Sequence, residues 1–411
     1  MLIIYRILIN LIILLSPIII TYRLIKKKED PKRFKEKFCV FSNIKKSGKL
    51  IWFHGASVGE ILSVLPIIDK LEKNKKIKQI LVTSNTLSSS TIIKKLKYKK
   101  VIHQFFPIDN HLLTNKFLSY WNPSSAFFID SEIWPNMIYN LKKRKIPITL
   151  LNARITKKTF LRWMILKNFS ENIFNKIENC FSSNKETVKY LKKLGAQNIK
   201  FIGNLKFSQS ENKIEDLNKD LKKFINSKKT WCASSTHNTE ERFCAIVHKK
   251  LKKKYKNFLT IIIPRHIDRA DNIKEELKKL NLNVHLHEPT NKINKKTDIY
   301  IVNSFGKTKS FYNNCKNVFL GGSLINHGGQ NPLEATRYGC NILHGPNVHN
   351  FTDIYYLLKK NKISNQVSNY NNTAQILNKL LTKKNYSKQK QQKLKKIGKT
   401  ILKKTYKELA F

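Results

Sequence analysis

Short apolar runs that end in polar residues alternate along this chain with stretches of helical spacing, and the alternation limits the fold more than any other feature. Residues 49–53, 79–84, 101–106, 126–130, 146–152 and 179–182 read as strands, with helical periodicity between them. Parallel strands need a crossover connection, so such a series builds a parallel sheet with helices on both faces. A second series follows at 230–234, 258–263, 284–287, 298–302, 317–320 and 341–344. The polar, strand-free stretch 208–229 separates the two and puts a boundary around 204–228. The expected class is α/β, with two Rossmann-like, doubly wound domains and no internal sequence repeat. In open sheets of this kind chemistry gathers beyond the carboxyl ends of the strands.

Ahead of the first strand, residues 2–22 are apolar except for Arg6, Asn10 and a few small or hydroxylated positions. That length suits one bilayer crossing. Lys26, Lys27 and Lys28 follow at once, then Lys32, Arg33, Lys35 and Lys37. Basic residues after an apolar segment mark the cytoplasmic side. A cleaved signal peptide would carry its charge at the other end and a small-residue cleavage pattern, which is absent. The expectation is an uncleaved, single-pass N-terminal anchor over 1–22 with the body in the cytoplasm. Arg6 also leaves open a segment lying in the interface.

The formal charge is +52, from 79 Lys and Arg against 27 Asp and Glu. The lysines are spread over the whole chain among many asparagines and isoleucines, with no Arg-rich arm, zinc-finger spacing or RNA-binding aromatic motif. An anionic membrane surface and an anionic substrate are therefore the expected partners, and nucleic acid is not. The six cysteines (Cys39, Cys180, Cys232, Cys244, Cys315 and Cys340) form no C-x-x-C pair. They read as small buried hydrophobes in a reducing compartment, not as a metal site or a disulfide framework.

Candidate chemistry lies in the loops. After the first strand, His54-Gly55-Ala56-Ser57-Val58-Gly59-Glu60 turns into a helix, leaving Glu60 in its first turn. Two readings stand there: an acid that complements the helix dipole, or a catalytic carboxylate. In the second half, Pro264 and Arg265 end a strand, where a guanidinium holds a phosphate or carboxylate. Gly321, Gly322 and Ser323 follow another strand and offer backbone N–H groups. Asn331 then reads as the N-cap of a helix with Pro332 in its first turn, followed by Leu333 and by Glu334, placed to meet a ribose diol. Together these suggest a nucleotide phosphate site. Neither a P-loop nor the G-x-G-x-x-G fingerprint is present. His54, His266, His327 and His344 read as loop hydrogen-bonding residues.

The set HGASVGE (54–60), DSEIWPN (130–136), LLNARIT (150–156), GNLKF (203–207), PRH (264–266), GGS (321–323) and NPLEA (331–335) resembles the 3-deoxy-D-manno-octulosonic acid (Kdo) transferases of lipopolysaccharide synthesis, in order and spacing over essentially the whole chain. The resemblance implies a GT-B fold, two Rossmann-like domains facing across a cleft, with an N-terminal membrane anchor. It implies an inverting, metal-independent glycosyltransferase without cofactor, moving Kdo from CMP-Kdo to the lipid A precursor lipid IVA at the inner membrane. It gives Glu60 the role of general base and Asp130 and Lys206 that of transition-state stabilisers. Its CMP contacts fall on Pro264 and Arg265, on Phe305, Gly306 and Lys307, and on Asn331, Pro332, Leu333 and Glu334. The corresponding division is an anchor (1–22), an acceptor-binding domain (23–207), a CMP-sugar-binding domain (208–384) and a C-terminal helix (385–411) that packs back across the domains. The sequence departs from the family pattern at Lys307, where an acid is common, at Asp130, where glutamate is common, and in the loop from Thr83 to Ser88. Two alternatives remain: a GT-B transferase with another nucleotide-sugar donor, and a non-catalytic membrane-associated binding protein on the same scaffold.

Overall fold

The computed structural model describes residues 1–209, 216–289, 293–383 and 387–409. Part of the expected domain boundary, at 210–215, and both ends of the expected C-terminal segment, at 385–386 and 410–411, lie outside them. The chain divides into two compact units, Met1–Ser210 with Ile397–Phe411, and Glu211–Lys396.

The first unit holds β1 (Lys49–His54), β2 (Ile77–Ser84), β3 (Val101–Phe105), β4 (Ser125–Ile129), β5 (Ile148–Ala153), β6 (Asn179–Ser182) and β7 (Ile199–Phe201). They form one parallel sheet in the order β3-β2-β1-β4-β5-β6-β7. β1 pairs with β2 on one side and β4 on the other, with His54 opposite Phe128. The winding direction therefore reverses between β1 and β4, which opens a crevice at their carboxyl ends. Because helices cover both faces, the central strands are apolar throughout. Trp52, Phe117, Trp121 and Phe128 are fully buried. The Trp52 and Phe128 rings meet edge to face at 5.3 Å, a favoured aromatic geometry.

The second unit repeats the plan with β8 (Lys229–Thr236), β9 (Phe258–Pro264), β10 (Val284–Leu286), β11 (Ile299–Ile301), β12 (Asn317–Leu320), β13 (Asn341–His344) and β14 (Ser364–Gln366). Its order is β10-β11-β9-β8-β12-β13-β14, again all parallel. Here the reversal falls between β8 and β12. Two strands were not anticipated, β7 and β14. Each is three residues long at a sheet edge, and β14 is Ser-Asn-Gln, which carries no apolar signal. β5 begins at Ile148 rather than 146, because the Ile146 N–H still closes the preceding helix on Leu141 O at 3.0 Å and Pro147 has no N–H to give a ladder.

Two helices of the first unit matter below: α1 (Leu2–Ile25) and α2 (Val58–Glu72). The C-terminal helix Ser387–Glu408 enters the first unit from Ile397 onward. There Ile401 covers Gly203, the Tyr406 hydroxyl donates to Pro66 O at 2.5 Å, and Glu408 pairs with Lys200.

Candidate functional site

β1 delivers the chain into the tight turn Gly55-Ala56-Ser57, and α2 starts at Val58. A side chain at position 55 would meet the Glu60 stem, Ile61 and Ile129 at 3.1 Å, so anything larger than glycine would press these side chains aside where the turn approaches β4. Ser57 and Glu60 form a reciprocal capping box. One Glu60 oxygen, Oε2, accepts from the N–H groups of Ala56 (2.7 Å) and Ser57 (3.3 Å), and Oε1 accepts from the Ser57 hydroxyl at 2.8 Å. The capping role left open by the sequence is thus present. It does not exhaust the residue. Burial raises the proton affinity of Glu60 above that of an ordinary glutamate, the negative charges of Glu132 and Asp130 raise it further, and the Ser57 bonds oppose them. A carboxylate in that state takes up a proton more readily than one in water.

Asp130 and Glu132 leave β4 on the other side of the crevice. Asp130 is 8% exposed and stands at φ +57°, in the left-handed region. Its Oδ2 lies 2.8 Å from Lys206 Nζ, and its Oδ1 accepts from the Asn152 amide. Asn152, also at φ +57°, accepts in turn from the Leu205 N–H at 2.8 Å, so β5 fixes the segment that carries the lysine. The two residues assigned to transition-state stabilisation are therefore an ion pair with each other here. Glu132 accepts from Trp134 Nε1 at 2.9 Å and contacts His54 Nε2 at 3.1 Å. His54 contacts the Thr83 hydroxyl at 2.9 Å through its other ring nitrogen. Sequence reasoning missed Glu132 and Asn152 as site members, although both stand inside quoted motifs. It gave His54 only a loop role, whereas the ring is fully buried and orients Glu132.

The second unit corrects the expectation for its glycine loop. The Gly321 N–H bonds Ser234 O at 2.9 Å. The N–H groups of Gly322 (2.7 Å), Ser323 (3.1 Å) and Leu324 (3.0 Å) all donate to the buried carboxylate of Glu240, which also accepts from His237 N–H at 3.0 Å. None of these groups points at a ligand, because an acid from the helix after β8 already fills the loop. Burial raises the Glu240 proton affinity, and these four bonds oppose the rise. Gly321 is required for another reason: any side chain there would run into the Ser235 carbonyl. The expected helix at Asn331 is a short one, Leu333–Arg337, with Pro332 rather than Asn331 at the cap position. Asn331 Oδ1 nevertheless accepts from the Leu333 N–H at 3.1 Å.

What remains open to solvent at this sheet edge is cationic and polar. Arg265 is exposed just past β9, and its N–H bonds Thr236 O at 3.0 Å. The His237 ring lies 4.3 Å from that of His327 and 6.3 Å from that of His266. Burial lowers the His237 pKa to about 4, and the neighbouring His327, His266, Arg265 and Arg269 add to the effect. Thr236 Oγ1, His237 Nε2 and Ser304 Oγ are buried without a hydrogen-bond partner among the described residues. Buried polar atoms are rarely left so, and three beyond the carboxyl ends of β8 and β11, on either side of β9, mark an edge built to receive polar groups. Thr236, His237 and Ser304 were not singled out from sequence; the run Ser-Ser-Thr-His closing β8 was the available signal. Phe305 is 80% exposed beside Gly306 and Lys307. The helix that follows packs on Leu333–Arg337, with Lys309 Nζ 3.5 Å from Glu334 Oε1.

Residues 32–209 match the family model described as 3-deoxy-D-manno-octulosonic-acid transferase (kdotransferase). The 3-deoxy-D-manno-octulosonic acid transferase of Rickettsia bellii is 32% identical over 370 residues, covering 90% of this chain and 88% of the relative. The chain belongs to the Kdo transferase family. That membership makes it a glycosyltransferase. The Haemophilus influenzae Kdo transferase is 28% identical over 360 residues, covering 86% and 83%. Among solved structures, UDP-GlcNAc 2-epimerase from Neisseria meningitidis bound to UDP-GlcNAc aligns with a TM-score of 0.57 at 12% identity, covering 87% of this chain and all of that one. This likeness concerns the fold alone, the pair of parallel sheets of the GT-B class. The capping-box glutamate, the Asp130–Lys206 pair and Arg265 fall in segments that carried the family resemblance, whereas Thr236, His237 and Ser304 do not.

Proposed function

We propose that the protein transfers Kdo from CMP-Kdo to lipid IVA with inversion, Glu60 taking the proton from the acceptor hydroxyl. The observation that carries this reading is the state of Glu60: a half-buried carboxylate at the crevice between β1 and β4, with its proton affinity raised by burial and by Glu132 and Asp130. Inversion requires a base on the face opposite the departing nucleotide. As the sugar leaves, its anomeric carbon gains positive charge, which the Asp130 carboxylate opposes. Lys206 balances Asp130 in the resting site and offers its ammonium to an anionic group of the substrate. The leaving CMP gathers negative charge, and Arg265 with the Thr236, His237 and Ser304 donors answers it in the second unit. Pro264, Phe305, Gly306, Lys307, Asn331 and Glu334 complete the proposed nucleotide site. The Gly321–Ser323 loop supports that edge structurally through Glu240 rather than by direct N–H contact.

We place the enzyme at the inner membrane, held there by α1, with both units on the cytoplasmic side. The family membership, the apolar helix and the lysines after it support this. The deciding experiment incubates the purified full-length protein with CMP-Kdo and lipid IVA, with and without EDTA, and weighs the product by mass spectrometry. A lipid heavier by whole Kdo units, formed equally with EDTA, is the expected result. No mass gain with CMP-Kdo but transfer from another nucleotide sugar overturns the donor, and loss with EDTA overturns the metal-independent mechanism.

A further inference from the structure

α1 has two unlike faces along its whole length. Tyr5, Arg6, Ile9, Ile13, Ser16 and Ile20, at helical spacing, are turned inward, and Ser16 and Ile20 are buried. Opposite them Ile4, Leu8, Leu11, Leu15, Ile18 and Tyr22 are exposed. The inner face is tied down by polar contacts near its start. The Tyr5 hydroxyl donates to Asp109 Oδ2 at 2.7 Å, Arg6 Nε donates to Asn136 Oδ1 at 3.0 Å, and another Arg6 nitrogen meets His111 Nδ1 at 2.9 Å. Asn110 donates to Asn10 Oδ1 at 2.7 Å. The far end is tied as well: Arg23 and Lys37 both pair with the buried Glu29 at 2.6 Å, and Lys37 O accepts from Ile108 N–H at 3.0 Å. Ile108 and Asp109 are adjacent, so the loop that holds Tyr5 near the start of α1 also anchors Lys37 in the segment that follows the helix, although α1 itself is about 36 Å long.

A helix crossing a bilayer leaves its globular body at one end and keeps lipid on all sides. This one is tied to the first unit near its start, where the chain end of a spanning helix would leave the body, and its inner face carries the polar anchors Tyr5 and Arg6 while its outer face is apolar throughout. We infer that α1 lies in the plane of an anionic lipid surface, clamped along its inner face to the first unit, instead of crossing the bilayer. The inference rests on the membrane attachment proposed above and changes its geometry. A bilayer is the occupant that fits, because the apolar stripe runs the full length of the helix and ends at the exposed Lys26, Lys27, Lys28 and Lys32, the pattern of an interfacial helix on acidic headgroups. Leu112 and Ile165 are also exposed near the clamped end, where the Tyr5 ring lies 6.3 Å from that of Phe169.

The test places single cysteines at Ile4, Leu11 and Ile18, all on the outer face, in the full chain, whose native cysteines are buried. Each is labelled with an environment-sensitive fluorophore, and its depth is read by nitroxide-lipid quenching in phosphatidylglycerol–phosphatidylethanolamine vesicles. The expected result is one shared shallow depth for all three labels. A label at Leu11 at the bilayer midplane, with those at Ile4 and Ile18 nearer opposite surfaces, overturns the inference and leaves the attachment intact. Absence of vesicle binding overturns both, and shielding of the three labels by self-association without vesicles assigns the face to a second copy instead.

Discussion

Lys206 Nζ lies 2.8 Å from Asp130 Oδ2, with the two side chains 19% and 11% exposed. Asp130 holds its place in a left-handed backbone conformation, as does Asn152, which links it to the lysine segment. Such conformations cost of order 1 kcal/mol each for residues other than glycine, and they persist where the surroundings over-determine them. Removing one partner leaves the other poorly solvated. Asp130→Asn and Lys206→Met should each lose about 1–3 kcal/mol in urea unfolding, with a coupling of roughly 1 kcal/mol in the double-mutant cycle. A cycle that closes additively would show the pair to be energetically idle.

Glu60→Gln keeps an oxygen acceptor for the turn but no longer accepts a proton. Turnover of lipid IVA should fall by roughly 10²–10⁴-fold, while CMP affinity, measured by calorimetry, stays at the wild-type value. Turnover near that of the wild type would remove Glu60 from the base role.

The acid limb of the pH–rate profile should lie above the range of an ordinary glutamate, since burial first and Glu132 next raise the Glu60 proton affinity. Activity is present above this limb and lost as pH falls through it. Glu132→Gln removes a negative neighbour, so the ionised base persists to lower pH and the limb moves down. An upward movement would contradict the assignment.

Arg265→Ala should weaken CMP binding by about 1.5–3 kcal/mol, the size of a charge-assisted hydrogen bond. Calorimetric titration with CMP measures it, and an unchanged affinity would move the nucleotide elsewhere.

Burial raises Asp109 to about 7, against the bonds it accepts from Tyr5, Asn136 and Met137. A carboxyl raised in this way contributes stability that is complete below its unfolded value of about 4 and is lost as pH rises through about 7. The thermal midpoint should therefore decline from about pH 4 to about pH 7 and level off above that. In Tyr5→Phe the charged form loses a donor, so Asp109 rises further and the decline shifts to higher pH. A downward shift would place the titration on another group.

The periodicity of the chain made both sheets legible, because strands buried on two faces are apolar without interruption. It also put Glu60 at the mouth of β1–α2. What it could not show depends on residues far apart in the chain. Glu240 fills a loop 82 residues away, and an acid three residues before the apolar pair Phe243-Cys244 looks like any other helix-start acid. Asn152 joins Asp130 to the Lys206 segment across two strand ends, which a motif containing only one of them does not reveal. The inner face of α1 was hidden because Arg6 and Asn10 read as the interruptions of an apolar run, when both are, with Tyr5, its points of attachment.

The Glu60 carboxylate closes the turn that carries it, through the Ala56 and Ser57 N–H groups and the Ser57 hydroxyl. Once protonated, it has given up the charge that strengthens those bonds. Uptake of a proton therefore also weakens the bonds that close the turn between β1 and α2, and its release restores them. The same atoms register the chemical state of the site and set the stiffness of its wall.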